Sequence, residues 1–494
     1  MIRKNIINFV GYILLFLGIS MFFTSLWSLY FNENDFYAFI ESGFITTLTG
    51  LVLILLSKKG KDSKPINLRD GFYLVTITWI FMGLFCSLPY YQSIYFNNFV
   101  DAFFESMSGI TTTGATIIGS NLGYSIEELP HGILFWRSFT QFIGGMGIIL
   151  FTIAILPILG MGGVQLFRAE VPGPSTDKLT PRIKETAKYL WGIYLGLIIL
   201  ETVVLYIEGI LFNIDKMTFF NALCHSMTTI STAGFSTFNN SIAGFESDIV
   251  SWTVIIFMFL GATNFSLHFL LISKKSFEYF NDSEFKFYVS TILFFFFLTF
   301  INISGIYGYT FQNITASLFN TMSLLTTTGY TLYDYETWPP LSQLVVFFMF
   351  FIGGMAGSTT GGIKLIRTIL VVKYIKTEIT RMLHPKGLHH VKIGKSIIDD
   401  NIVRSTLGFY LFYILIFAMC ALIISVNGLD MVSSLAISAS SIGNIGPGLG
   451  SIGPSTDWGS LNDFSKLLAM FCMLLGRLEI FTVIVLFSRT YWKS

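Results

Sequence analysis

The sequence predicts an all-α integral membrane protein. It has about ten transmembrane helices plus four re-entrant pore helices, arranged as four helix–pore-loop–helix repeats with pseudo-fourfold symmetry. Three observations carry this. The 494 residues are 53% hydrophobic and 17% aromatic but only 12% charged, about half the charged share of a soluble domain. Long apolar runs such as "FVGYILLFLGISMFFTSLWSLYF" (9–31) recur along the chain, each able to cross about 30 Å of hydrocarbon as a helix. Between them a glycine-centred frame returns four times, most visibly as "TTTG" at 111–114 and 326–329.

Ten spans are expected, at 8–30, 37–57, 72–92, 132–159, 189–209, 249–272, 287–309, 341–371, 404–427 and 465–488. No charged n-region precedes a small-residue cleavage site, so the first is read as a retained span. With a cytoplasmic N-terminus, all 30 basic residues except Arg137, Lys216, Lys466 and Arg477 lie inside. They gather in loops 58–70, 160–188 and 273–286 and in stretch 364–404, as the positive-inside rule requires. The net charge of +1 is uninformative. Cys86, Cys224, Cys420 and Cys472 sit singly in apolar segments and read as small hydrophobes, with no disulfide framework or metal spacing.

Four outward connections, 95–131, 211–248, 310–340 and 428–464, each begin with a Ser/Thr/Met-rich stretch. They are too short to span and too apolar for a solvated loop, hence re-entrant. Aligned on Gly114, Gly234, Gly329 and Gly446, they share Ser106-Met107-Ser108, Ser226-Met227-Thr228, Thr321-Met322-Ser323 and Ser438-Ala439-Ser440 six to eight residues earlier. Thr112, Thr232, Thr327 and Asn444 stand two before, and Thr113, Ala233, Thr328 and Ile445 one before. A fourfold match at fixed offset is an internal repeat. It divides the chain into a two-helix region (1–70) and repeats at 71–170, 171–283, 284–385 and 386–494.

A monovalent cation crossing a membrane must exchange its water for protein oxygens, and rings of backbone carbonyls supply them without a trapping charge. Glycine permits the backbone angles that align successive carbonyls, and pore-helix C-termini favour cations. The twelve residues from two before each glycine to the glycine itself are therefore the candidate filter. These loops, the ten-span layout and the glycine-rich insertion below resemble the Trk/Ktr/HKT superfamily of potassium transporters, most closely the bacterial TrkH-type pore subunits with two extra N-terminal spans. The resemblance covers essentially the whole chain. It implies K⁺ as the ion bound at the filter, because glycine rather than serine stands at position 114. Ala115, Phe235, Tyr330 and Pro447 follow the glycines, so only one wall keeps the tyrosine of the TVGYG channel signature, which implies weaker discrimination.

Span 341–371 is too long and is interrupted by "FFIGGMAGSTTGGIKLIR". Gly353, Gly354, Gly357, Gly361 and Gly362 surround Ser358, Thr359 and Thr360, and each glycine costs a helix about 1 kcal/mol against Ala. The alternatives are a glycine packing seam and an irregular loop lining a cavity. The resemblance implies the second, an intramembrane gating loop. Arg477 lies near the middle of the last expected span, where a charge is costly and marks a functional site. The alternative is an ion pair with Glu479. The resemblance implies that Arg477 faces the pore below the filter.

Other signals are set aside. "GLGSIG" (448–453) lacks the strand and helix that a dinucleotide fingerprint needs. "FIGGM" at 142–146 and 351–355 reads as close packing. His225 reads as a structural hydrogen bond, "HPKGLHH" (384–390) as solvated, and Asp101 and Asp430 as pore-helix N-termini that also draw cations to the mouth. No paired carboxylates, HExxH or nucleophile motif points to an enzyme, and a scaffold would not need four filter loops. A broader Na⁺/K⁺ conductance or an ion-coupled symporter remains the competing reading. The resemblance further implies a homodimer in the lipid of the bacterial inner membrane. It implies a cytosolic ring of nucleotide-binding, TrkA-like regulatory subunits, with no cofactor on this chain other than bound K⁺ and no nucleic acid. Basic segments 160–188 and 373–395 could dock such a ring, or simply obey the positive-inside rule.

Overall fold

A computed structural model describes residues 4–57, 68–119, 122–155, 183–274, 278–387, 389–394 and 396–492. The expected docking loop 160–188 and the basic loop 58–70 fall largely outside them. Helices Lys4–Phe31 and Phe36–Ser57 pair as a hairpin outside the repeats. Small residues make the seam: a Cβ on Gly50 would lie 2.8 Å from the Gly11 carbonyl oxygen, the close backbone approach that glycine allows in membranes.

Each repeat follows one plan. Outer helices run over Leu68–Cys86, extended by Leu88–Gln92, then Ile183–Leu211, Ser283–Asn302 and Asp400–Val426. Re-entrant helices occupy Phe99–Ile110, Phe219–Ile230, Phe311–Leu325 and Met431–Gly443. Each starts at a residue whose side chain accepts from a backbone N–H of the first turn, namely Asn98, Thr218, Thr310 and Asp430, so the pore helices are capped by their own sequence. One two-residue antiparallel pairing, Lys392–Ile393 with Ser396–Ile397, interrupts the helical chain.

Three of the four inner helices depart from expectation, and the third is interrupted at its glycine-rich segment as expected. Among the described residues, six helices are long and apolar enough to span alone, and two bent pairs bring the number to eight. The expected continuous span 249–272 is two helices, Asp248–Gly261 and Phe265–Lys274, bent by 92° between Gly261 and Phe265. The expected span 465–488 breaks after Arg477 with a bend of 108°. Glu479 and Ile480 there adopt φ of 55° and 51°. In repeat one, helix His131–Ile155 leaves helical geometry at Gly147 (φ 68°, ψ 148°). In repeat three, Pro340–Met349 and Leu365–Leu383 flank the glycine-rich segment. All four inner helices therefore break. Averaged hydropathy does not reveal the breaks after Gly261 and Arg477, because Thr263-Asn264, Arg477 and Glu479 are outweighed by the apolar residues on either side.

Several buried charges are matched in pairs. Lys466 Nζ lies 2.6 Å from Asp101 Oδ1, with side chains 3% and 5% exposed. Asp101 is thus buried in an ion pair, not placed at the mouth to gather cations. Asp430, by contrast, caps its pore helix by accepting from Ser433 N at 3.1 Å. Lys216 pairs with Glu246 at 2.7 Å on the surface. The cysteines are not all solitary either: Cys420 and Cys472, on the outer and inner helices of repeat four, bring their Sγ atoms to 3.3 Å while remaining free thiols.

Removing one member of a buried pair strands the other charge, at a cost of about 3–5 kcal/mol, whereas replacing both with apolar groups is near neutral. Asp101→Ala should therefore lower the thermal stability of the purified protein by that amount. The double variant Asp101→Leu/Lys466→Met should recover most of it.

Candidate functional site

The four loops after the pore helices share one backbone geometry. Thr112, Thr232, Thr327 and Asn444 have φ between 51° and 55°, and Gly114, Gly234, Gly329 and Gly446 have φ between 76° and 99°. Asn tolerates the left-handed region; a β-branched Thr there is strained by roughly 1–3 kcal/mol. Three such threonines persist because the pore helices over-determine them. Thr113 N donates to Ser108 O, Ala233 N to Thr228 O, Thr328 N to Ser323 O and Ile445 N to Ser440 O, at 2.9–3.1 Å. The N–H and C=O of a trans peptide point in opposite directions. The carbonyls of Thr112, Thr232, Thr327 and Asn444 are thereby aimed away from their pore helices.

The loops also close on one another. A Cβ on Gly114 would overlap the Ala233 carbonyl, one on Gly234 that of Thr328 and one on Gly329 that of Ile445; one on Gly446 would lie 2.6 Å from Thr113 O. The contacts run in order around a ring and return to the start. All four glycines line a single outer cavity together with Thr116, Thr331 and Pro447. At the inner end, Thr112 Oγ1 and Asn444 Oδ1 are buried without a hydrogen-bond partner in the structure.

Behind this ring the walls differ. Nine residues before the glycine stand Glu105, His225, Asn320 and Ile437. Glu105 accepts from Ile117 N at 3.1 Å and pairs with Arg137 at 2.8 Å. His225 Nε2 meets Ser236 Oγ at 2.9 Å and Nδ1 meets Asn221 O at 2.8 Å, a structural role. Asn320 Nδ2 donates to Tyr333 O at 3.3 Å. The fourth wall has the apolar Ile437, and its Gly446 carbonyl is held instead by Ser440 Oγ (3.0 Å) and Trp458 Nε1 (3.1 Å).

The glycine-rich segment is an ordered loop over 350–364 directly under the ring. Gly353 N donates to Ile363 O at 2.9 Å, closing its base, and Gly357 (φ 72°) and Gly362 (φ 64°) make its turns. Gly361 N donates to Thr327 Oγ1 at 2.8 Å, and Thr232 Oγ1 to Thr359 Oγ1 at 3.2 Å, so the loop touches two filter threonines. Thr359 Oγ1 also lies 2.9 Å from Ile230 O and 3.0 Å from Gly261 O. Thr360 Oγ1 accepts from Gly354 N at 3.2 Å and meets Ser358 Oγ at 2.9 Å.

Arg477 ends its helix rather than lying mid-span. Its Nη1 donates to Thr359 O at 2.8 Å and its Nη2 to Gly145 O at 2.9 Å and to Gly144 O. Glu479 pairs with Arg367 beyond the loop. Every expected filter and loop residue is thus drawn into one constellation with Arg477. Sequence reasoning missed Glu284, which accepts from Ala356 N (2.7 Å) and Ile366 N (3.1 Å) and anchors the loop; the available signal was an acid at the edge of a span.

A family model described as "TrkH: Cation transport protein" matches residues 37–494. The "Trk system potassium uptake protein TrkH" of Vibrio parahaemolyticus is 37% identical over 99% of both chains. The protein of the same name from Escherichia coli K12 is 36% identical, and the E. coli K12 "Trk system potassium uptake protein TrkG" 34%, each over 99% of both chains. The crystal structure of the potassium transporter TrkH from Vibrio parahaemolyticus matches with a TM-score of 0.87 and 35% identity, covering all of both chains.

The hydroxyl of Thr359 joins the loop to the second repeat at Ile230, Thr232 and Gly261, and each lost hydrogen bond is worth about 1 kcal/mol. Thr359→Val should speed amide hydrogen exchange across 353–362 by roughly tenfold, since local opening sets that rate. Exchange elsewhere in the inner helices should be unchanged.

Proposed function

The chain belongs to the TrkH family of cation transport proteins, and on that premise we propose that it takes up K⁺ through a gated single-chain pore with a backbone-carbonyl filter. The observation that supports this is the fourfold N–H bond from the loop back to its pore helix, which turns the preceding carbonyl away from that helix in each wall. Four neutral oxygens around one axis replace the water of a monovalent cation without holding it permanently. The inequality of the walls favours a filter less strict than four identical strands would make. A looser Na⁺/K⁺ conductance, or flux coupled to a second ion, is therefore the second reading. Transport explains the site without an enzymatic activity.

Loop 350–364 and Arg477 form the gate in this reading. A guanidinium below the filter repels cations in a medium that screens little, and its bonds to Thr359, Gly144 and Gly145 hold the loop shut. The positive-inside distribution supports a cytoplasmic N-terminus in the bacterial inner membrane. We further assign a homodimer, each protomer with its own pore, and a cytosolic nucleotide-binding ring. The basic stretch 373–395, following the loop through helix Leu365–Leu383, is suited to transmit a pull from that ring to the gate.

In proteoliposomes under opposed K⁺ and Na⁺ gradients, the reversal potential should lie close to the K⁺ equilibrium value. A potential midway between the two would support the looser conductance, and no flux of either ion would overturn the pore. Arg477→Ala should raise basal cation flux several-fold, because it removes both the charge and the bonds that hold the loop; unchanged flux in the same vesicles would sink the gate.

A further inference from the structure

We propose that Gln141 is the positioning residue that fixes the second filter wall and thereby sets cation discrimination. The inference rests on the pore reading above. Gln141 is fully buried on the inner helix of repeat one. Its Nε2 donates to Ala233 O at 2.8 Å, and its Oε1 accepts from Phe235 N at 3.0 Å. The amide orientation is unambiguous, since a carbonyl can only accept and a backbone N–H only donate.

One side chain thus grips the peptides on both sides of Gly234. Pinning the Phe235 N–H against Gln141 turns the Gly234 carbonyl the opposite way, toward the enclosed space. Pinning the Ala233 carbonyl holds the preceding peptide sideways. Glycine at φ 82° has little intrinsic preference of its own, so an external clamp decides which way its carbonyl faces.

The second wall, like the fourth with Gly443 and Ile445, lacks a clasp that the first and third have. In the first wall Thr111 Oγ1 and Thr113 Oγ1 are 2.8 Å apart, and in the third Thr326 Oγ1 and Thr328 Oγ1 are 2.7 Å apart. The second wall has Ser231 and Ala233 at these positions, and alanine has no hydroxyl to close such a clasp. Gln141 enters from the neighbouring repeat and supplies what is missing. One turn away on the same helix, Arg137 Nη1 donates to Ser236 O at 2.8 Å, extending the hold upward.

The test compares K⁺/Na⁺ permeability ratios, from reversal potentials of the full-length protein in proteoliposomes, for Gln141→Met, Gln141→Glu and wild type. Met fills the space without bonding. Glu keeps the acceptor for Phe235 N–H but loses the donor to Ala233 O. Ser138→Ala, on the same helix with its hydroxyl bonded to Leu134 O, is the control. Gln141→Glu should lower the ratio by about fivefold, the size of one lost hydrogen bond, and Gln141→Met, which loses two, by more, while K⁺ flux persists and Ser138→Ala matches wild type. A merely structural glutamine would reduce both fluxes together and leave the ratio unchanged, which would overturn the proposal. If Gln141→Met yields no monodisperse protein, the near-isosteric Gln141→Glu decides. A wild type that carries neither ion refutes the pore itself; a selective wild type with equally selective variants refutes only the role of Gln141.

Discussion

The N–H bond from the residue before each filter glycine back to its pore helix is the constraint from which the site follows. Because the peptide is planar and trans, that bond fixes the direction of the preceding carbonyl as well. It does so four times, which turns four separate re-entrant helices into one ring. The threonines at φ 51–55° bear the strain of this arrangement, and the glycines allow the loops to approach until each abuts the carbonyl of the next. Substituting any one of these glycines would disturb two walls.

The repeat and the filter were legible in sequence because they depend on residue identity at fixed offsets. Gly114, Gly234, Gly329 and Gly446 announce themselves as a frame, and the loop around Gly353–Gly362 announces itself by glycine density. What was not legible depends on angles or on distant partners. The breaks after Gly261 and Arg477 are marked only by Thr263-Asn264 and by the charges of Arg477 and Glu479, which apolar neighbours outweigh, and Ile480 at φ 51° carries no compositional mark. Asp101 read as a mouth residue because its partner, Lys466, is 365 positions away. Gln141 carries no mark in the sequence, and only the fold sets it against Ala233 and Phe235.

The four walls do the same geometric task with different means. Glu105, His225 and Asn320 brace their loops from one aligned position, while Ile437 leaves that work to Trp458 and Ser440. A single chain with internal repeats is free to do this, since each wall can drift as long as its carbonyl stays aimed. A homotetrameric filter would have to change all four at once. Asymmetry is therefore a natural product of the one-chain design, and it allows the gate to attach to particular walls: Thr232 and Thr327 contact the loop, and Asn444 instead bonds Thr113 and Met473.

The helix breaks and the gate have a common cause. A helix that stops leaves its last carbonyls without their intrahelical donors. The departure at Gly147 frees Gly144 and Gly145, and those are the oxygens that Arg477 takes. The break after Gly261 frees Gly261 and Ala262, and those accept from Thr359 and from Met355 N at 3.1 Å. The barrier is thus built on the orphan carbonyls of broken inner helices. Any movement that withdraws Arg477 and the loop uncovers those carbonyls beneath the filter, and buried carbonyls must be repaired by water or a cation. In the proposed gate, the groups that hold the pore closed would, once released, be the oxygens that a permeating ion meets next.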